Sequence, residues 1–336
     1  MSGYTHTVKL SLAFAAVYVL WGSNFLAIRF AAEAMPPFLM MAVRSLIAGA
    51  LLFAWARFKE GARPAAGQWP AAVAVGTMLF LGCHGALAWA EQTVPSGIAA
   101  VVMATTPVFL TLLDWALGGG RPRWQSTAGL VLGLIGLTIL MGPARHDALP
   151  LAGPLALVAG AFAWAAGSLV SRRLPLPRSL ILASGMQLLA GGVGLAITGL
   201  AVGEAGRLDT GIFAPRPLWS FAYMVVASSL GGFTAYMWLL RITPPALAGT
   251  YAFVNPVVAL FVGWALGGEI LDTRTLWASL VIVAGVALIV VAPRNEKKGE
   301  THDRTSVEGG DPGHESGRVS RVPEAYRRLA VPRNAG

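Results

Sequence analysis

Between Leu10 and Ala292 the chain is a succession of long apolar runs, each closed by a short connection that carries charges, prolines or glycines. Helical runs of about 18–24 residues match the thickness of a bilayer core. The pattern predicts spans near 10–31, 38–56, 70–90, 95–117, 125–142, 152–171, 180–201, 217–240, 245–267 and 275–292. Connections open or close on Pro36-Pro37, Gly118–Gly120, Pro175, Pro177 and Pro244-Pro245. Within lipid every backbone polar group needs an internal partner, which leaves helices and closed barrels as the only spanning structures. The short alternating segments of a barrel are absent, so the expected fold is an all-α integral membrane protein of ten transmembrane helices.

The runs also repeat. Leu81, Gly82, Trp89, Pro95, Pro107 and Trp115–Gly119 return as Leu230, Gly231, Trp238, Pro244, Pro256 and Trp264–Gly268, 149 positions later. Trp21, Arg44 and Gly49 pair with Trp164, Gln187 and Gly192 at an offset of 143, so the second copy gains six residues near 202–216. Each copy holds five runs, residues 1–143 and 152–292. An odd number makes the copies cross the membrane in opposite senses, the plan of secondary transporters whose substrate site lies where inverted repeats meet.

Charge sharpens this picture. Only 12% of residues are charged, about half the share in a soluble domain. The last 44 residues carry 16 of the 41 charged side chains. Residues 293–336 therefore read as a disordered cytoplasmic tail, with contact of Arg327 and Arg328 to anionic lipid as the alternative. An N-terminus inside places Lys9, Arg57, Lys59, Arg63, Arg121, Arg123, Arg172, Arg173, Arg178, Arg241, Arg294, Lys297 and Lys298 in the cytoplasm. Arg29, Arg145, Arg207, Arg216 and Arg274 fall on the other side. This bias predicts a bacterial-type cytoplasmic (inner) membrane protein with both termini cytoplasmic. The net charge of +9 then follows from basic loops and predicts no nucleic-acid partner. Lys9 and the apolar run to Ala32 superficially resemble a signal peptide, but the run is longer than a signal core and is expected to stay as the first helix. The single cysteine, Cys83, forms no intramolecular disulfide or metal cluster.

Several short strings carry a family likeness. Leu20–Phe25 in the first span resembles the opening motif of EamA-domain proteins in the drug/metabolite transporter superfamily, and Pro36–Phe38 with Arg44 resembles its second helix. Ala90–Gln92 and Pro95–Val102 are similar to the third and fourth helices of the YedA-like subgroup, as are Pro245–Ala248, Tyr251–Val258 and Gly267–Glu269 in the second copy. The likeness covers about residues 10–292 and stops before the tail. It implies two five-helix EamA repeats, a central cavity open alternately to each side, and export of small metabolites or drugs. The chain departs from the family pattern at Gly120-Arg121, where many members carry an acidic residue, and at Asn24 and His84.

Polar groups and helix breaks inside the spans mark the candidate site. Pro107 and Pro256 lie mid-span at corresponding places and are expected to kink their helices, freeing the carbonyls of Met103 and Ala252. Tyr251 and Asn255 share a helix face. Trp21 and Asn24 lie on one stripe of the first span, and Trp164 and Ser168 form the matching pair in the sixth. Asn24 contacts either substrate or a neighbouring helix. Arg44 either snorkels or clamps carbonyls, or it contacts an anion. His84 and Glu91 share a face and are candidates for proton coupling, with a structural hydrogen bond and a solvated carboxylate as the respective alternatives. Asp114 is expected to meet solvent or Arg121 and Arg123. Gly129, Gly133, Gly136, Gly191, Gly192 and Gly194 are expected to let helices approach closely.

The expected substrate-binding set is thus Trp21, Asn24, Arg44, His84, Trp164, Ser168, Tyr251 and Asn255. No metal or cofactor is expected; the partners are a small-molecule substrate, the lipid bilayer and protons. The function expected is secondary export of small organic, amino-acid-like or amphipathic solutes by alternating access, with proton coupling as an added step. A passive facilitator is the alternative. A membrane enzyme ranks last, because three of the five histidines (His6, His302, His314) fall in the termini. The substrate, the driving ion and the oligomeric state are open at this level.

Overall fold

The computed structural model describes residues 2–32, 34–90, 94, 102–141, 151–208, 210–267 and 273–291. Among these residues all regular structure is helical, with no strand. Seven helical segments are long and apolar enough to cross a membrane. They are α1 (Thr7–Ala32), α2 (Pro37–Lys59), α3 (Ala66–Ala90), α6 (Ala152–Ser171), α7 (Leu180–Ala201), α8 (Pro215–Ile242) and α9 (Pro245–Leu266). Between and after them lie α4 (Thr106–Ala116), α5 (Trp124–Met141) and α10 (Thr273–Val291). The start of the expected fourth span and the tail from 292 onward lie outside the described residues, as does Glu91.

Proline sets several of these starts. Pro37, Pro215 and Pro245 each stand in the first turn of their helix, where a missing N–H costs nothing. Polarity is distributed inside out. Ser45, Ser184 and Gln187 are buried, while Leu12, Leu51, Phe58, Trp219, Leu266 and Trp277 face outward. Trp219 is 75% exposed. An apolar exterior around a polar-containing interior is what a lipid solvent selects.

The contacts between the two copies come in matched sets. α2 packs on α7, α5 on α10 and α4 on α9, each helix meeting its own counterpart. The remaining pairings exchange on swapping the copies: α1 with α9 against α6 with α4, α1 with α8 against α6 with α3, and α2 with α8 against α7 with α3. The sequence repeat is therefore a structural pseudo-twofold. The copies approach closely at Gly129 and Gly285, where a Cβ on Gly129 would lie 2.5 Å from the Gly285 carbonyl oxygen. Gly133, Gly136, Gly191, Gly192 and Gly194 are likewise in tight contact with neighbouring helices, as their spacing predicts.

Two features were not legible in the sequence. Thr77–Gly85 in α3 and Met224–Phe233 in α8 are wound as π-helix, and both contain the repeated Leu-Gly pair. Such wide turns break the i→i−4 ladder and re-aim side chains, often at functional sites. The second is Glu204, in the six-residue insertion. Its carboxylate is only 2% exposed and accepts from Phe38 N (3.1 Å) and Leu39 N (2.8 Å). Pro36 offers no capping side chain and Pro37 no N–H, so Glu204 supplies the N-cap of α2 from the other copy. Glu204→Ala leaves both N–H groups unpaired and is expected to cost about 2 kcal/mol, with Glu204→Gln intermediate. Thermal unfolding of the purified protein checks this; an unchanged midpoint in the alanine variant would remove the capping role.

Candidate functional site

A cavity of about 130 Å³ lies where the two copies meet, with room for roughly ten waters or one small organic solute. Its walls come from α1, α2, α3, α6, α7, α8 and α9, together with Met103, Ala104 and Thr106 at the start of α4. The lining follows the repeat. Trp21 faces Trp164 as its counterpart, and at the 149-residue offset Phe80 answers Ser229, His84 answers Phe233, Met103 answers Ala252, and Thr106 answers Asn255. All ten line the same space. The cavity therefore sits on the pseudo-twofold, with equivalent positions carrying different chemistry.

One wall is aromatic. Trp21 meets Trp164 edge-on at 5.7 Å, Tyr251 edge-on at 4.8 Å and Tyr236 at 5.2 Å between ring centroids. Trp21 Nε1 donates to the Ser228 carbonyl at 3.1 Å. The ring fits because residue 232 is glycine, whose added Cβ would lie 2.5 Å from Trp21 Nε1. Trp164 Nε1 donates to the Tyr236 hydroxyl at 3.2 Å and stacks on His84 at 5.6 Å. Tyr236 is fully buried behind this wall, and Ser168 shares a 2.7 Å hydrogen bond with its hydroxyl. Ser168 thus stands one layer back from the cavity, holding Tyr236, whereas the other seven expected binding residues line the space directly.

The polar groups belong to the opposite character. Arg44 Nε donates to Ser229 Oγ at 3.0 Å, and Ser229 Oγ donates in turn to the Met224 carbonyl at 3.0 Å. That carbonyl, five residues earlier in the π-wound stretch of α8, is an acceptor a regular α-helix would not offer at this spacing. Asn24 Oδ1, Asn255 Oδ1, His84 Nδ1 and Ser228 Oγ are buried with no hydrogen-bond partner among the described residues. Buried polar atoms are normally paired, and several unpaired ones on residues that surround one void mark a place where something polar binds. Among the described residues no three His, Cys, Asp or Glu side chains converge as metal ligands would.

The two prolines behave differently. Pro107 stands in the first turn of α4, after a break at Ala104-Thr105. The carbonyl it leaves free, Met103 O, accepts from Thr106 Oγ1 at 2.6 Å. Pro256 lies inside a continuous helix from Tyr251 and itself lines the cavity. Asp114 meets Arg172 at 4.0 Å rather than Arg121 or Arg123, an exposed pairing across α4 and α6 worth little to stability. Ser229 and Tyr236 escaped sequence reading; a hydroxyl pair at Ser228-Ser229 within an apolar span was the available signal for the first.

Comparison with known proteins places these features. The sequence profile of the EamA-like transporter family matches residues 9–142 and again 151–291. The uncharacterized inner membrane transporter YedA of Escherichia coli (strain K12) is 37% identical over 278 residues, covering 82% of this chain and 89% of its own. A protein of Salmonella typhimurium named as a probable amino-acid metabolite efflux pump is 24% identical over 284 residues, covering 82% of this chain and 92% of its own. One crystal structure, 24% identical in sequence, covers 84% of this chain and 97% of its own with a TM-score of 0.69.

Proposed function

The chain belongs to the EamA-like transporter family as a multi-pass membrane transporter, and from that premise we propose that it exports small organic solutes by alternating access through the cavity between its copies. The observation that carries this reading is a cavity on the pseudo-twofold, walled by aromatic rings and by residues whose buried polar atoms have no partner among the described residues. In this reading residues 1–143 and 152–292 are five-helix repeats of opposite sense, ten spans in all, with both termini cytoplasmic. Trp21, Asn24, Arg44, His84, Trp164, Tyr251 and Asn255 touch the solute, and Ser168 supports them through Tyr236. The break before Pro107 and the proline inside the continuous α9 helix let these two regions bend as the cavity changes the side to which it opens. Family membership argues for a transporter over an enzyme. The efflux name carried by one relative supports the outward direction.

The cargo is expected among amino-acid-like or amphipathic solutes, since a mixed aromatic and amide lining suits both an apolar body and a polar head. Proton coupling is assigned to His84, whose Nδ1 is unpaired, with Glu91 as its partner. The test is a resistance screen in cells overproducing the protein, against amino acids, nucleosides and drugs, followed by counterflow in proteoliposomes on each hit. Counterflow is expected, with uptake in inverted vesicles driven by a proton gradient and lost in His84→Ala. Counterflow indifferent to the gradient would make the protein a facilitator, and no altered accumulation of any solute would overturn the transport reading.

A further inference from the structure

Arg44 is 6% exposed in the interior of a lipid-facing fold. Among the described residues its hydrogen-bond partners are a neutral hydroxyl at Ser229 and, at 3.7 Å, the Met41 thioether. No carboxylate pairs with it among the described residues. A guanidinium carries five N–H donors, and a thioether is a weak acceptor. A buried cation without a counter-charge is among the most costly arrangements a protein holds, and in membranes it is a functional mark. Its twofold counterpart is the neutral Gln187, which does not line the cavity. The cavity therefore has one positive pole.

We propose that Arg44 binds the carboxylate of a singly charged organic anion whose apolar body lies against the Trp21–Trp164–Tyr251 wall, and that Ser229 is the positioning residue that aims the guanidinium. This rests on the reading of the cavity as the transport site and deepens it. The Ser229 hydroxyl fixes the Nε edge, because its own hydrogen is committed to the Met224 carbonyl and its lone pairs are left for Arg44. The terminal nitrogens remain for a planar carboxylate, which matches the guanidinium fork. A dianionic phosphate would call for a second cation, and among the described residues no other Arg or Lys lines the space. On the remaining walls stand Asn24 and Asn255, whose buried Oδ1 atoms have no donor among the described residues. An amide turned toward the cavity accepts from a solute that also carries an N–H or O–H group.

The test uses the full-length purified protein and quenching of its tryptophan fluorescence. Each of three bodies (phenyl, indole and branched aliphatic propionates) is titrated as the carboxylate, the primary amide and the amine. For at least one body the carboxylate is expected to bind about tenfold or more tightly than the amide, the scale of one charge-assisted hydrogen bond. Arg44→Gln brings that ratio to about one, Arg44→Lys restores part of it, and Ser229→Ala lowers it about threefold or more. Equal binding of carboxylate and amide by the unaltered protein for all three bodies overturns the proposal even if Arg44→Gln fails to fold. A preserved ratio in a folded Arg44→Gln protein overturns it too. Anion-selective binding without counterflow would keep the Arg44 site and remove the transport reading; counterflow indifferent to head-group charge would do the reverse.

Discussion

Gly129→Leu is expected to abolish the folded transporter, with the purified protein losing its monodisperse form and its cooperative melting transition. A first side-chain carbon at this position would fall 2.5 Å from Gly285 O and 2.6 Å from Ile289 Cγ1. From the other helix, a Cβ on Gly285 would fall 2.8 Å from Gly129 O and 2.9 Å from Gly133 N. The neighbours are mostly backbone, which cannot rotate away as a side-chain end can, so the α5 and α10 helices must separate along their length. Overpacking of this sort costs about 3 kcal/mol or more, against a total stability on the order of 10 kcal/mol. Gly206→Ala is the control, because a Cβ there meets nothing within 4 Å. Normal fluorescence-detected elution and an unshifted midpoint for Gly129→Leu would show that α5 and α10 are not held at this distance.

Trp21→Ala is expected to reduce transport by at least about thirtyfold while the protein still folds, the loss typical of an aromatic anchor in a binding site. The indole joins α1 to α6, α8 and α9 through its ring contacts and its bond to Ser228 O. Truncation opens the aromatic wall and orphans that carbonyl. Trp21→Phe separates the two contributions, since it keeps most of the ring area but loses the Nε1 donor; a smaller defect is expected, of about 1 kcal/mol in solute binding. Counterflow and tryptophan-quench titrations read both. A fully active alanine variant would move the solute away from this wall.

Much of the candidate site could be read from residue types. Asn24, Arg44, His84 and Asn255 stand out because a polar side chain inside an apolar run is costly and is kept for a reason, and seven of the eight expected binding residues do line one cavity. Ser168 was grouped with them because its helical spacing from Trp164 matches, but spacing along one helix cannot say which layer a residue occupies. That depends on Tyr236, which arrives from α8 and takes the position in front. Ser229 belongs to a serine pair in an apolar span, and residue type does not say which of the two turns inward. Only the wide winding of Met224–Phe233 and the approach of α2 turn it toward Arg44.

The sequence by itself determined the apolar runs, the duplication, the places of proline and glycine, and the family. Each of these is local or periodic: chain length per run, the cost of charge in lipid, and an offset between copies are all carried by residue order. Tertiary structure alone decided which counterparts face one another across the pseudo-twofold, how Glu204 reaches the start of α2, and where the π-wound stretches turn their side chains. These depend on contacts between residues far apart in the chain, whose energies are set by packing after the helices exist. The repeat made the two copies alike, and their docking placed Arg44 but not Gln187 beside the cavity.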